Sequence, residues 1–188
     1  MWSSRATLAA LALTLPSVAG AHAQGFHKRL SLRVSSYSVE GVLAMDVDGG
    51  ERCQGLRLGV DANRDGVLSD DEARRLKDKL VKLATQALAL SFSSANVPVK
   101  VVSSKLSLRE DKTVSTTGLS LAILLDATHP HEVMEGMKLE VKDSSPDGAP
   151  VHLEVDPAVD SDGGTTPVVA ELEAGQVFSV RLSLGKRP

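Results

Sequence analysis

Residues 30–35 read Leu30-Ser31-Leu32-Arg33-Val34-Ser35, apolar and polar residues alternating with a period of two. That period describes a strand with one dry and one wet face. It returns along the chain. Met137, Leu139 and Val141 alternate with Lys138, Glu140 and Lys142, and Val151, Leu153 and Val155 with His152 and Glu154. Leu119, Leu121, Ile123 and Leu125 follow it in the middle of the chain, and Phe178, Val180, Leu182 and Leu184 near its end. Leu88, Leu90 and Phe92, then Val97, Val99 and Val101, predict two further strands joined by a hairpin connection through Ser93 to Asn96. Turn chemistry separates the rest at Asp48-Gly49-Gly50, Ser145-Pro146-Asp147-Gly148 and Asp162-Gly163-Gly164. One-sided strands at short intervals predict a mainly β fold, an antiparallel, immunoglobulin-like sandwich in which each sheet buries one face.

One segment departs from the period. Ala73, Leu76, Leu80, Leu83, Ala84 and Ala87 fall at helical spacing, while Arg74, Arg75, Lys77, Lys79 and Lys82 occupy mostly the other positions. An amphipathic helix is predicted from about residue 70 to about residue 88. Ser69 is its N-cap and Glu72, three residues later, completes a capping box. Asp70, Asp71 and Glu72 set negative charge at the positive end of the helix dipole. The basic face reads as solvated surface rather than a membrane or nucleic-acid contact.

The same acidic residues belong to a sharper pattern, Asp61-Ala62-Asn63-Arg64-Asp65-Gly66-Val67-Leu68-Ser69-Asp70-Asp71-Glu72. It resembles the calcium loop of the EF-hand family, followed at once by a helix as in that family. The spacing has a physical reason: a large, hard cation takes six to eight oxygens, and a tightly wound loop delivers them from alternate residues. The resemblance implies side-chain oxygens from Asp61, Asn63 and Asp65, and a sharp turn at Gly66. It further implies the Val67 backbone carbonyl, the Ser69 hydroxyl or a water it holds, and both carboxylate oxygens of Glu72. Leu68 would anchor the loop to its neighbour. The implied cofactor is one Ca2+.

The likeness covers residues 61–72 and the helix after them. Gly55-Leu56-Arg57-Leu58-Gly59-Val60, where an EF-hand has its first helix, carries two glycines and alternates like a strand, a short helical turn around Cys53 and Leu56 being the other reading. EF-hands usually pair through the position of Leu68, and the sequence holds no second loop. Asp46-Val47-Asp48-Gly49-Gly50 and Asp160-Ser161-Asp162-Gly163-Gly164 lack the later glutamate and read as hairpin turns. The leading strands, acidic loop, basic helix and following hairpin also look like the extracytoplasmic part of some nickel/cobalt-type permeases. That second resemblance implies an accessory role beside a metal-transport system.

Composition bounds the rest. The chain has 188 residues, 42% hydrophobic and 24% charged, with a formal net charge of −3, which fits one globular domain. An acidic balance and 3% aromatic residues argue against a nucleic-acid partner. Met1 to Arg5, the Ala/Leu run Ala6 to Leu15, and Ala21-His22-Ala23 form a secretory signal pattern cleaved after Ala23. Residues 24–188 are then an exported, periplasmic or secreted domain with no apolar run long enough to span a bilayer. Cys53, the one cysteine, reads as a small buried hydrophobe rather than a partner for another chain. His129-Pro130-His131-Glu132 reads as a polar loop, since Pro130 breaks helical ligand spacing. No serine has a recognisable base partner and no phosphate-binding glycine loop occurs, so no enzyme is expected. Two functions remain: a structural calcium site, or an envelope interaction domain whose partner is another protein and whose calcium is incidental.

Overall fold

The computed structural model describes residues 25–109, 111–146, 148–159 and 166–184. The expected signal peptide at 1–23 and the Asp160-Ser161-Asp162-Gly163-Gly164 turn lie outside the described residues. The fold is mainly β. The opening alternation forms β1 (Phe26–Val34), which turns at Ser35–Tyr37 into β2 (Ser38–Val47). Ser35 N–H closes that turn on Ser38 O at 2.8 Å.

Two helices follow, α1 (Glu51–Leu58) and α2 (Asp70–Thr85). The strand-like reading of residues 55–60 is therefore wrong. A single interior glycine, Gly55, costs a helix about 1 kcal/mol, and Cys53 and Arg57, four residues apart on one face, are both buried. Asp48-Gly49-Gly50 is not a hairpin turn either. It leads from β2 into α1, with Gly50 as N-cap at φ 141°, a conformation that favours glycine. α2 starts on the Ser69 capping box as expected and stops at Thr85, short of residue 88, because Leu88 already belongs to the next strand.

β3 (Leu88–Phe92) and β4 (Ala95–Val97) form a hairpin. Its turn is only Ser93-Ser94, both at positive φ, so Ala95 and Asn96 are strand and not loop. Val97, Val99 and Val101 do not share a strand. Pro98 has no N–H to give a ladder, and the chain leaves for a different sheet as β5 (Lys100–Ser107). β6 (Leu119–Thr128), β7 (Lys138–Asp143) and β8 (Val151–Asp156) occur where the period placed them. Between the last two, Gly148 at φ 65° donates to Ser145 O at 3.2 Å, which closes the predicted turn. β9 (Ala158–Val159), β10 (Val168–Leu172), β11 (Val177–Arg181) and β12 (Ser183–Leu184) complete the order. The C-terminal stretch is drier on paper than in the fold: Phe178 and Val180 are half-buried, Leu182 is buried between two strands, and Leu184 is exposed.

The strands assemble as a six-stranded sheet β10-β8-β1-β2-β6-β5, a four-stranded sheet β11-β7-β3-β4 and a small β12-β9 pair. Pairing is antiparallel in the two large sheets except between β1 and β8, which run parallel. A parallel pair needs a long crossover, and here everything from β2 to β7 lies between the two strands. Buried residues of both large sheets and of α2, among them Leu30, Met45, Leu121, Leu139, Val141, Leu76 and Leu80, form one apolar cluster. α2 docks through Leu76, Leu80 and Ala84 and leaves its charged face outside. Among the described residues no helix is long and apolar enough to cross a membrane.

Candidate metal centre

The loop 61–72 sits between α1 and α2, so the segment is a helix, a loop and a helix. Asp61, nearly buried, organises the first half. Its Oδ1 accepts the Arg64 N–H at 2.8 Å and its Oδ2 the Gly66 N–H at 3.1 Å. Arg64 at φ 59° and Gly66 at φ 79° let the chain fold back around that carboxylate. Asn63 Oδ1 accepts the Asp65 N–H at 3.2 Å, and Asp65 Oδ1 accepts the Val67 N–H at 2.9 Å. Asn63 Nδ2 donates to Asp65 Oδ2 at 2.8 Å.

Glu72 closes the other half. It is 4% exposed. Its Oε2 accepts the Ser69 N–H at 2.9 Å and the Ser69 hydroxyl at 2.7 Å, while Oε1 reaches back to the Ala62 N–H at 2.7 Å. Ser69 Oγ in turn accepts the Glu72 N–H at 3.3 Å. These donors, the Ser69 N–H first, then its hydroxyl and the Ala62 N–H, pull the Glu72 carboxyl down to about 2. A depressed folded value means that this carboxylate stabilises the fold above its unfolded value near 4.5 and that the contribution is lost as pH falls through about 2. Acid titration followed by circular dichroism should therefore show a loss of stability between these limits that is absent in Glu72→Gln. Identical acid profiles for the two proteins would contradict the assignment.

In place of a second hand, the segment 112–114 lies against the loop. Val67 bridges Thr113, Leu68 N–H donates to Lys112 O at 2.8 Å, and Val114 N–H donates to Gly66 O at 2.8 Å. Leu68, expected to anchor the loop to its neighbour, is 1% exposed and packs in the apolar core, whereas Val67 is exposed.

Beneath this lies a group that alternation disguised. Arg57 of α1 is fully buried, with Nη1 donating to Thr113 O at 2.9 Å and Ser115 Oγ at 2.7 Å and standing 3.5 Å from Asp111 Oδ2. Hydrogen bonds from Ser115 and Thr113 hold the Asp111 carboxyl well below the usual range. The readable signal was Asp111 with Thr113 and Ser115 two and four residues on, the spacing of local side-chain turns. Cys53 is buried as expected, its thiol donating to Thr117 O at 2.9 Å. Arg57 and Arg109 do supply a positive field that its sequence neighbours did not suggest, but burial outweighs it and pushes the thiol up. In the 129–132 loop, His129 is buried edge-on against Phe92 at 4.9 Å, so its ring serves packing.

The donor chemistry of the loop fits a hard divalent cation. Asp61, Asp65 and Glu72 form no ion pair with a described Lys, Arg or His, so hydrogen-bond donors alone offset these three carboxylates, and the Asn63 amide and Ser69 hydroxyl offer further ligand oxygens. The positions are not those of a closed shell. Among the described residues no three His, Cys, Asp or Glu side chains are grouped so as to hold an ion. Asp61, Asp65 and Glu72 are instead each ordered by loop N–H donors.

No protein-family model and no curated protein sequence matches the chain.

Proposed function

We propose that this chain is an exported, non-catalytic protein that binds one Ca2+ in an EF-hand-like loop through Asp61, Asn63, Asp65, Val67, Ser69 and Glu72, the ion fixing the start of α2 against an immunoglobulin-like β-sandwich. The observation that carries the reading is the bonding within the loop, Asp61 at its start to the Gly66 N–H at its middle and Glu72 at its end back to the Ala62 N–H. It closes residues 61–72 into one turn, and rearrangement of the Asp61 and Glu72 carboxylates away from their N–H donors would let them share a cation. Carboxylates already free of protein counter-ions give such a cation its affinity. Export follows from the signal pattern at 1–23, and a loop paired with 112–114 instead of a second hand suits a constitutive, stabilising ion better than a switch.

Thermal unfolding of residues 24–188 with calcium and with chelator tests the proposal. At free calcium about 100 times the dissociation constant, linkage adds about 2.7 kcal/mol, or about 5–10 °C in Tm for a domain of this size. Glu72→Gln should abolish the shift. No shift at millimolar calcium, or an undiminished one in Glu72→Gln, would sink the assignment.

A further inference from the structure

We propose that the groove between α2 and β5 docks an extended acidic peptide segment of a partner protein, added as a strand along the free edge of β5. This goes beyond calcium binding and does not depend on it. The groove, about 770 Å³, is lined by Ala73, Arg74 and Lys77 of α2, by Lys105 and Leu106 of β5, and by Lys112. It also takes in Asp70, Ser104 and Leu108.

Three observations converge. First, β5 is the last strand of the six-stranded sheet, paired only with β6 among the described residues. The bulge between Val101 and Ser103 disturbs one end, and Ser103–Ser107 run on in regular register, leaving main-chain donors and acceptors for an incoming strand. Second, a chain of net charge −3 concentrates four cations here from three separate segments. A lysine on an edge strand can by itself discourage unwanted pairing, but that does not require Arg74, Lys77 and Lys112 to gather opposite it. Third, those cations are available. Lys105 forms no ion pair among the described residues, while Lys112–Asp70 at 2.8 Å, Arg74–Asp71 at 3.0 Å and Lys77–Asp78 at 4.0 Å are mostly solvent-exposed pairs. Such pairs are weak and yield to a partner's carboxylates. Half-buried Leu106 and Leu108 supply an apolar floor for alternate side chains. A strand edge with free main-chain donors and acceptors suits a peptide better than a lipid surface.

The test uses residues 24–188 and a fluorescent eight-residue peptide, the length of β5, alternating glutamate and valine, followed by anisotropy in chelator. Saturable binding is expected, weakened at least about tenfold in the Lys77→Glu/Lys105→Glu double variant and by raising salt, because partly exposed charge pairs are screened. Lys142→Glu, on β7 and away from the groove, should bind as the parent does. A peptide with methylated backbone nitrogens should lose binding, since strand addition rests on main-chain hydrogen bonds. Thermal unfolding confirms that each variant is folded. Absence of saturable binding, equal binding by the double variant, or equal binding of the methylated peptide overturns the proposal. So does sedimentation with phosphatidylglycerol vesicles, sensitive to the double variant, in place of peptide binding, which would make the face a membrane contact.

Discussion

Replacing Lys28 or Asp143 by alanine should lower the unfolding free energy by about 3–5 kcal/mol, because it breaks a buried ion pair. Lys28 lies on the dry face of β1, between Phe26 and Leu30, and its Nζ stands 3.2 Å from Asp143 Oδ2 on β7. The two side chains are 1% and 4% exposed. Asp143 also accepts the Ser145 N–H at 3.0 Å and the Ser145 hydroxyl, so the carboxylate is satisfied from two sides while it ties the two large sheets together. At this size the loss amounts to about 6–20 °C in Tm. Replacing both members, Lys28→Met with Asp143→Leu, should recover most of the stability, since a buried pair is often no better than apolar residues of similar volume. Urea unfolding of the three variants decides the matter: a cost below about 1 kcal/mol for Asp143→Ala would show that the pair is solvated in solution.

That pair also marks where sequence reading reaches its limit. Alternation located β1, β3, β6, β7 and β8, because a strand with one dry face writes a period of two directly into its residues, whereas β2 was not read from it. Extended backward from Leu30, the same period puts Lys28 indoors, a placement that makes sense only once Asp143, 115 residues away, is known to meet it. Pairing between strands has no local signature, so the parallel partnership of β1 with β8 was not legible. α1 was read only as the alternative to a strand, because a fully buried arginine looks like the polar half of an alternating strand. The loop was the easier case. Asp61, Asn63, Asp65 and Glu72 accept backbone N–H groups of the loop itself, so their spacing states how the loop folds. The segment that pairs with the loop, 112–114, enters from more than forty residues downstream and carries no calcium motif of its own.

Leu68→Ala should cost about 2–5 kcal/mol, measured by urea unfolding in chelator, while its neighbour Val67→Ala should stay within about 0.5 kcal/mol. The contrast follows from one residue of displacement along the same bridge. Leu68 is 1% exposed and belongs to the apolar cluster, with Leu76 and Leu80 of α2, whereas Val67 is 47% exposed. Truncating Leu68 leaves a cavity that the surrounding strands can fill only partly, and that residual volume adds to the lost transfer energy. The backbone bonds from Leu68 N–H to Lys112 O and from Val114 N–H to Gly66 O remain chemically possible in both variants, so the difference isolates side-chain packing. It would also reach the proposed calcium site. Leu68 lies between Gly66, which bonds Asp61, and Ser69, which bonds Glu72, and a loosened anchor lets the two ends of the loop separate. Leu68→Ala should therefore weaken calcium binding at the proposed site, measured by titration calorimetry, with the proposed ligands untouched, and Val67→Ala, which keeps the backbone carbonyl offered as ligand, should leave it unchanged. Equal calcium affinity in both variants would mean that the loop holds its geometry without the core.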